Sequence, residues 1–205
     1  MRLLKEYNLE ILTVLMVLMI TLIAAAVPEV SFTQRMLVVY MFLYTLHEWE
    51  ENRYPGGFSN LMEGMLGKTF AEDAKKMSHI PVAILLLAIH IIPFVLDTVM
   101  PLVLIPVFLG LFEGFVHTMG VKLSGAERFY TPGMVTAYCL AVFSVFCIVC
   151  FVIQDMAGPK DYLLGFFCMF ASFALMQNRV LAINGVKYTD MMAVMKSRIA
   201  KGRPM

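Results

Sequence analysis

The fold class this sequence predicts is all-α: a polytopic transmembrane bundle of about six helices with one amphipathic interfacial segment. Three observations predict it. Of 205 residues, 60% are hydrophobic and 15% charged, against roughly 45–50% and 25% in a typical soluble domain. Runs without a charged residue, at Ile11 to Val27, Ile80 to Leu96, Met134 to Ile153 and Tyr162 to Met176, reach or approach the ~20 residues that cross hydrocarbon. The basic residues are one-sided: with a cytoplasmic N-terminus and six crossings, only Arg35 and Lys160 of the 16 Lys and Arg face outward, as the positive-inside rule requires.

In chain order, the first span covers about 9–27 and is read as retained, because it ends at Val27-Pro28-Glu29 and has no small-residue cleavage site. The second is expected over about 34–54. Its apolar run, Met36 to Leu46, is too short to cross, but a helix continuing to Tyr54 and stopped by Pro55-Gly56-Gly57 is long enough. Phe58 to Ser78 mixes apolar residues with Glu63, Lys68, Glu72, Asp73, Lys75 and Lys76, the pattern of an interfacial amphipathic helix. The third span, about 80–99, carries His90, Pro93 and Asp97, and Pro101 turns the chain into the fourth, about 102–119, with Pro106, Glu113 and His117. The fifth covers about 132–153, and the sixth about 162–178 follows the Gly158-Pro159 turn. The tail, 179–205, is basic and expected in the cytoplasm with the N-terminus. No repeat or composition shift divides the chain, so residues 1–205 read as one transmembrane domain.

Several classes are disfavoured. A net charge of +1, with no basic stretch interleaved with aromatics, gives no reason to expect nucleic acid. Cys139, Cys147, Cys150 and Cys168 all lie in apolar spans and read as small hydrophobes. Trp49, Tyr54, Tyr130 and Tyr138 fall at interfacial depth, as in an aromatic belt. Oligomeric state is not legible.

The expected topology brings the C-terminal ends of the second and fourth spans to the cytoplasmic side. His47 with Glu50 and Glu51 is spaced i, i+3 and i+4, and Glu113 with His117 is i, i+4, so each set lies along one helical face. His79 begins the third span at the same level, and His90 lies deeper. Carboxylates below the membrane surface call for a cation, shared protons or water. Imidazole and carboxylate together suit zinc or non-haem iron. Gly110 and Gly114 form a GxxxG, expected to let a neighbouring helix, the second, approach Glu113 closely. The rival expectation is a solvated helix end, with Glu50 or Glu51 paired to Arg53 or Lys68.

His47-Glu48-Trp49-Glu50-Glu51, read as His-x-x-Glu-Glu, resembles the signature of the HXXEE-domain membrane proteins, and His117 to Tyr130-Thr131-Pro132-Gly133 resembles a second block of that family. The resemblance covers roughly Thr33 to Ile153. It implies functional positions at His47, Glu50, Glu51 and His117 in a membrane protein suspected of being an enzyme, and it supplies no substrate. Glu113 enters on helical geometry.

The leading expectation is a metal-dependent hydrolase of a lipid-like or amphiphilic substrate entering from the cytoplasmic leaflet. His47, Glu51 and His117, with Glu113, bind one divalent ion, zinc favoured over iron. Glu50 acts as general base on its water, whose pKa zinc lowers toward ~7. The alternatives are a di-iron lipid oxidase, a metal-free lipid isomerase in which Glu50 and Glu51 share a proton, and a proton- or metal-coupled transporter whose polar path runs through His79, His90 and Asp97. The absence of an inverted repeat counts against transport.

Overall fold

The computed structural model describes residue 3 and residues 6–26, 30–124 and 129–201. Arg2, Lys5, Arg128 and Arg203 of the charge pattern, and the Val27 end of the first expected span, lie outside the described residues. Among the described residues the chain forms eight helices: α1 (Asn8–Ala26), α2 (Phe32–Asn52), α3 (Phe58–Leu66), α4 (Glu72–Val95), α5 (Met100–Ser124), α6 (Met134–Ile153), α7 (Pro159–Ile183) and α8 (Tyr188–Lys201). The architecture is an all-helical bundle, and α4, α5, α6 and α7 are each long and apolar enough to cross a membrane. Asn8–Thr21 of α1 is a further apolar helical stretch, while α2 carries Arg35 and three carboxylates.

Local signals explain most of the helix ends. At the start of α2, Ser31 Oγ accepts from Gln34 N at 3.1 Å while Gln34 Oε1 accepts from Ser31 N at 3.0 Å, a reciprocal cap. The helix stops where Gly56 and Gly57 take φ of 72° and 99°, conformations that favour glycine. α7 starts at Pro159, with Asp161 accepting from Gly158 N at 2.8 Å.

Three expected boundaries need correction. The interfacial segment is helical on its own only over Phe58–Leu66, because residues 72–78 join α4 directly. There Lys75 pairs with Glu72 and Glu63, each at 3.1 Å, so the polar stretch is ordinary helical surface. The last long helix runs past residue 178 to Ile183, and the expected tail then folds back as α8.

α5 is the central helix, packed most extensively on α6 and α7, while α2 lies against α6, α4 and α1. The Gly110/Gly114 pair faces α6, a correction to the expectation that it would admit α2. A Cβ on Gly114 would lie 2.8 Å from Ala141 Cβ, and one on Gly110 would overlap Ser144 Oγ and sit 3.2 Å from Leu140 O. Ser144 cannot rotate away without loss, since its hydroxyl donates to Leu140 O and accepts from Tyr40 OH, both at 2.8 Å. Gly110→Ala is therefore expected to destabilise the bundle by about 1–3 kcal/mol, read as a lower unfolding temperature in detergent. An unchanged temperature would mean that α6 is not seated on α5 as described.

Candidate functional site

Everything at the site follows from how α6 begins. Its N-cap is Gly133, at φ 90°, which has no side chain to satisfy the first turn of backbone N–H groups. Glu50, reaching across from α2, does so instead. Its Oε1 accepts from Val135 N at 3.1 Å and from Tyr130 OH at 3.0 Å, and its Oε2 accepts from Thr136 N at 2.8 Å and Thr136 Oγ1 at 2.6 Å. A carboxylate on the positive end of a helix is also favoured by the helix dipole.

Four accepted bonds fill the roughly four lone-pair sites of a carboxylate. Glu50 thus has no lone pair left to take a proton from water, and none to share a proton with Glu51. The base role expected for Glu50 is corrected to that of a bridge between α2 and α6.

Tyr130, in the turn before α6, records this arrangement. Burial and the adjacent Glu50 carboxylate push its phenol up to about 12. The neutral form is the one favoured in the folded protein, so its contribution to stability is complete below the ordinary phenol value of about 10 and is lost as pH rises through 12. Ultraviolet titration is expected to show one tyrosine ionising about two pH units late in the native protein, and Tyr130→Phe to remove that delayed step.

The glycine also lets the imidazoles close in. A Cβ on Gly133 would meet Glu51 Cγ at 2.6 Å, His117 Cε1 at 2.8 Å and His47 Cε1 at 2.9 Å. His47 Nδ1 lies 3.1 Å from Gly133 O and 2.9 Å from Thr136 Oγ1. A carbonyl only accepts, so Nδ1 carries the proton. His117 Nδ1 lies 3.0 Å from Thr131 Oγ1, whose own hydroxyl donates to His117 O at 3.5 Å, which again makes Nδ1 the donor. Both rings therefore turn an unprotonated Nε2 toward the same point, the orientation that hydrogen-bonded metal-ligand histidines adopt.

At that point His47 Nε2 is 3.6 Å from Glu51 Oε1 and 3.8 Å from Glu113 Oε2, and His117 Nε2 is 3.2 Å and 3.8 Å from the same two oxygens. His47 and His117 are 3% and 2% exposed, yet His117 Nε2 has no hydrogen-bond partner among the described residues. Most of these separations are too long for hydrogen bonds, and none leaves room for a bridging water. A small cation fits better: held at about 2.0–2.2 Å by tetrahedral donors, it would keep them about 3.3–3.6 Å apart. His47, Glu113 and His117 offer atoms all within 4.8 Å of one another, a buried group that could hold a metal ion. Glu113, which rested only on helical spacing, is thus part of it, and Glu51 adjoins it.

The solvated-helix-end alternative has lost its partners. Arg53 pairs with Glu10 at 2.9 Å, and Lys68 donates to Gly185 O. The residues of the expected polar path separate as well. His79 lines the cavity described below, but His90 and Asp97 do not. His90 is fully buried, with Nδ1 2.6 Å from Leu86 O and its ring edge-on to Tyr44. Asp97 accepts from Ser31 and Thr33 at the other end of the bundle. The cysteines are free thiols, Cys147 buried in the core.

The cluster opens into a cavity of about 540 Å³, whose walls come from α2, α3, α4, α5, α7 and α8 and are mostly apolar. Seven methionines contribute, Met191, Met192 and Met195 of α8 among them. Such unbranched side chains adapt to apolar surfaces of varied shape. Glu48, which sequence reasoning passed over, lines it too. It is 8% exposed and holds Asn52 Nδ2 at 3.2 Å. Its neighbour Trp49 instead donates to Thr13 Oγ1 at 2.8 Å and stacks on Tyr54. The signal in the sequence was Glu48 itself, a third carboxylate in the same turn as Glu50 and Glu51.

Compared with models of known families, residues 38–148 match the family described as "Protein of unknown function with HXXEE motif". Searches of curated proteins and of solved structures found no match.

Proposed function

Because the chain belongs to the HXXEE family, whose members' function is unknown, its chemistry has to be argued from its own residues, and we propose that it is a multi-pass membrane hydrolase dependent on one divalent metal. The observation that carries this reading is the buried Nε2 of His117, which has no hydrogen-bond partner among the described residues and faces His47, Glu51 and Glu113. These four residues would hold the ion. Zinc is favoured over iron because the imidazole-to-carboxylate separations of 3.2–3.8 Å are close to those between ligands of a tetrahedral zinc site. A divalent ion there would polarise a carbonyl and acidify a water.

The remaining work falls to the chain. Gly133 O and Thr131 Oγ1 hold the two imidazoles in the tautomer that leaves Nε2 unprotonated. Glu50 keeps α2 and α6 in register. Glu48 takes over as general base: Asn52 anchors one of its oxygens, and it lies on the cavity wall where substrate would arrive. The apolar wall suits the chain of an amphiphile, and hydrolysis adds water across its ester or amide bond. The one-sided Lys and Arg distribution supports cytoplasmic termini and entry from the inner leaflet.

Purified protein supplied with zinc is expected to hydrolyse a long-chain p-nitrophenyl ester and to lose that activity on chelation. Glu48→Gln should lower kcat by about 100-fold or more with zinc content unchanged. Turnover that persists without metal, or no turnover at full zinc occupancy, would reject the hydrolase. Glu113 as a fourth ligand still allows a di-iron oxidase, which iron at two per chain would favour.

A further inference from the structure

The wall of the cavity changes character along α5 and α7. Where the two helices pack, Phe112 meets Phe170 and Phe173 edge-on, at ring-centroid separations of 5.3 Å and 4.8 Å. Toward the C-terminal ends of both helices, Phe115 and Met119 of α5 and Met176 and Val180 of α7 line the cavity instead. Phe115 is at the same time 60% exposed, and of the cavity-lining residues of α8, Met192 is 48% and Ile199 59% exposed. Side chains that belong both to the wall and to the outer surface mark the mouth. It lies between α5 and α7, with α8 along the edge nearest the helix ends.

The rim decides which medium this mouth opens to. α5 and α7 are both long and apolar enough to cross a membrane. Phe115 stands about 13.5 Å along the axis from Ser124, the end of α5, within one half of a ~30 Å hydrocarbon core. Phe, Met and Ile side chains around a mouth that faced water would stay hydrated in the folded protein, whereas lipid chains cover them without that cost. α8 shields the aqueous side. Tyr188, Met191, Met192, Met195 and Ile199 line the cavity at helical spacing, while Thr189, Asp190, Lys196 and Ser197 are exposed. Arg198 pins the far end of α8, donating to Leu123 O at 2.7 Å and to Gly64 O at 3.0 Å, carbonyls in the last turns of α5 and α3.

Resting on the hydrolase reading of the cluster, we infer that the cavity is a pocket for one acyl chain, taken sideways from the surrounding leaflet through the window between α5 and α7. Size sets the number of chains. A methylene group fills nearly the ~30 Å³ of a water molecule in the liquid, so a cavity of about 540 Å³ holds roughly 18 chain carbons, one long chain and not two. Position sets the use. Glu113 and His117 stand on α5 to either side of Phe115 and line the same cavity, so a chain that enters past Phe115 has a short path to the cluster. A lipid with two chains leaves the second in the bilayer, and its head group need not cross α8.

The test uses the full-length protein in nanodiscs and an octadecyl methyl ether that carries a mid-chain diazirine, a single chain with no bond to hydrolyse. After illumination, adducts on residues 112–119 and 173–180 are expected to be about tenfold denser than on Val142, Val145 and Val149, exposed residues of α6. They should saturate at about one per protein, as the cavity volume requires, and unlabelled octadecyl methyl ether should compete them away while leaving the α6 adducts. Met176→Trp, which fills the window, should lower cavity labelling about fivefold and leave α6 labelling unchanged. The comparison of segments in the unmodified protein stands even if that variant does not fold. Adducts spread evenly over the helices, cavity labelling that Met176→Trp leaves intact, or labelling that begins only when Arg198→Ala frees α8, overturns the inference. Saturable labelling of a protein that hydrolyses no ester would reject the enzyme reading alone, whereas zinc-dependent ester hydrolysis with evenly spread adducts would reject this inference alone.

Discussion

His117→Ala is expected to leave the protein folded and almost free of zinc. His117 sits at the one point where α2, α5 and the α6 turn converge, and the alanine removes a donor that no neighbour can replace. Apparent zinc-binding energies of ~10–16 kcal/mol, shared among four ligands, amount to roughly 2.5–4 kcal/mol each, so affinity should fall about 70-fold or more. Metal analysis after dialysis should then drop from about one zinc per chain to below about 0.1. Thr131→Val, which removes only the hydrogen bond that orients the ring, should weaken binding by about 10–100-fold. His90→Ala makes the contrast: His90 is just as buried, but it faces Leu86 O and Tyr44, so zinc content should not change. If His117 and Glu113 were merely a hydrogen-bonded pair between turns of α5, none of the three variants would alter metal content.

What the sequence could disclose here depended on whether a residue's role was set within its own helix. His47 with Glu51, and Glu113 with His117, are one turn apart, so their shared faces follow from helical geometry alone. That the two faces meet follows from the expected topology, and the separations of 3.2–3.8 Å agree with it. Glu50 and Glu51 could not be told apart in this way. Neighbours on a helix point about 100° apart, and which of them turns to the imidazoles depends on where α6 starts, a fact held by residues more than eighty positions away. Helix ends followed the same division. Pro55-Gly56-Gly57 stops α2 by local chemistry, whereas the polar first turns of α4 are stabilised by Glu63 from another helix and so read in the sequence as a separate segment.

Gly133→Ala puts the same reasoning under the greatest stress, because it removes no ligand atom and is still expected to abolish zinc binding. An alanine at φ 90° is strained wherever it occurs, and left-handed backbone costs an L-residue roughly 1–2 kcal/mol. The larger effect is steric. The new Cβ would press on Glu51, His117 and His47 at 2.6–2.9 Å, three of the four proposed ligands, on two different helices. Relief requires α6 to withdraw, and withdrawal breaks the bonds from Val135 and Thr136 to Glu50 that hold α2 in place. Zinc content should therefore fall to the level of His117→Ala, with a lowered unfolding temperature besides. Gly120→Ala controls for the general cost of adding a methyl near this turn, since its Cβ would meet Thr131 Cγ2 at an ordinary 3.5 Å and should leave zinc in place. Full zinc binding by Gly133→Ala would mean that the imidazoles do not converge over this glycine, and the single-metal centre could not be kept.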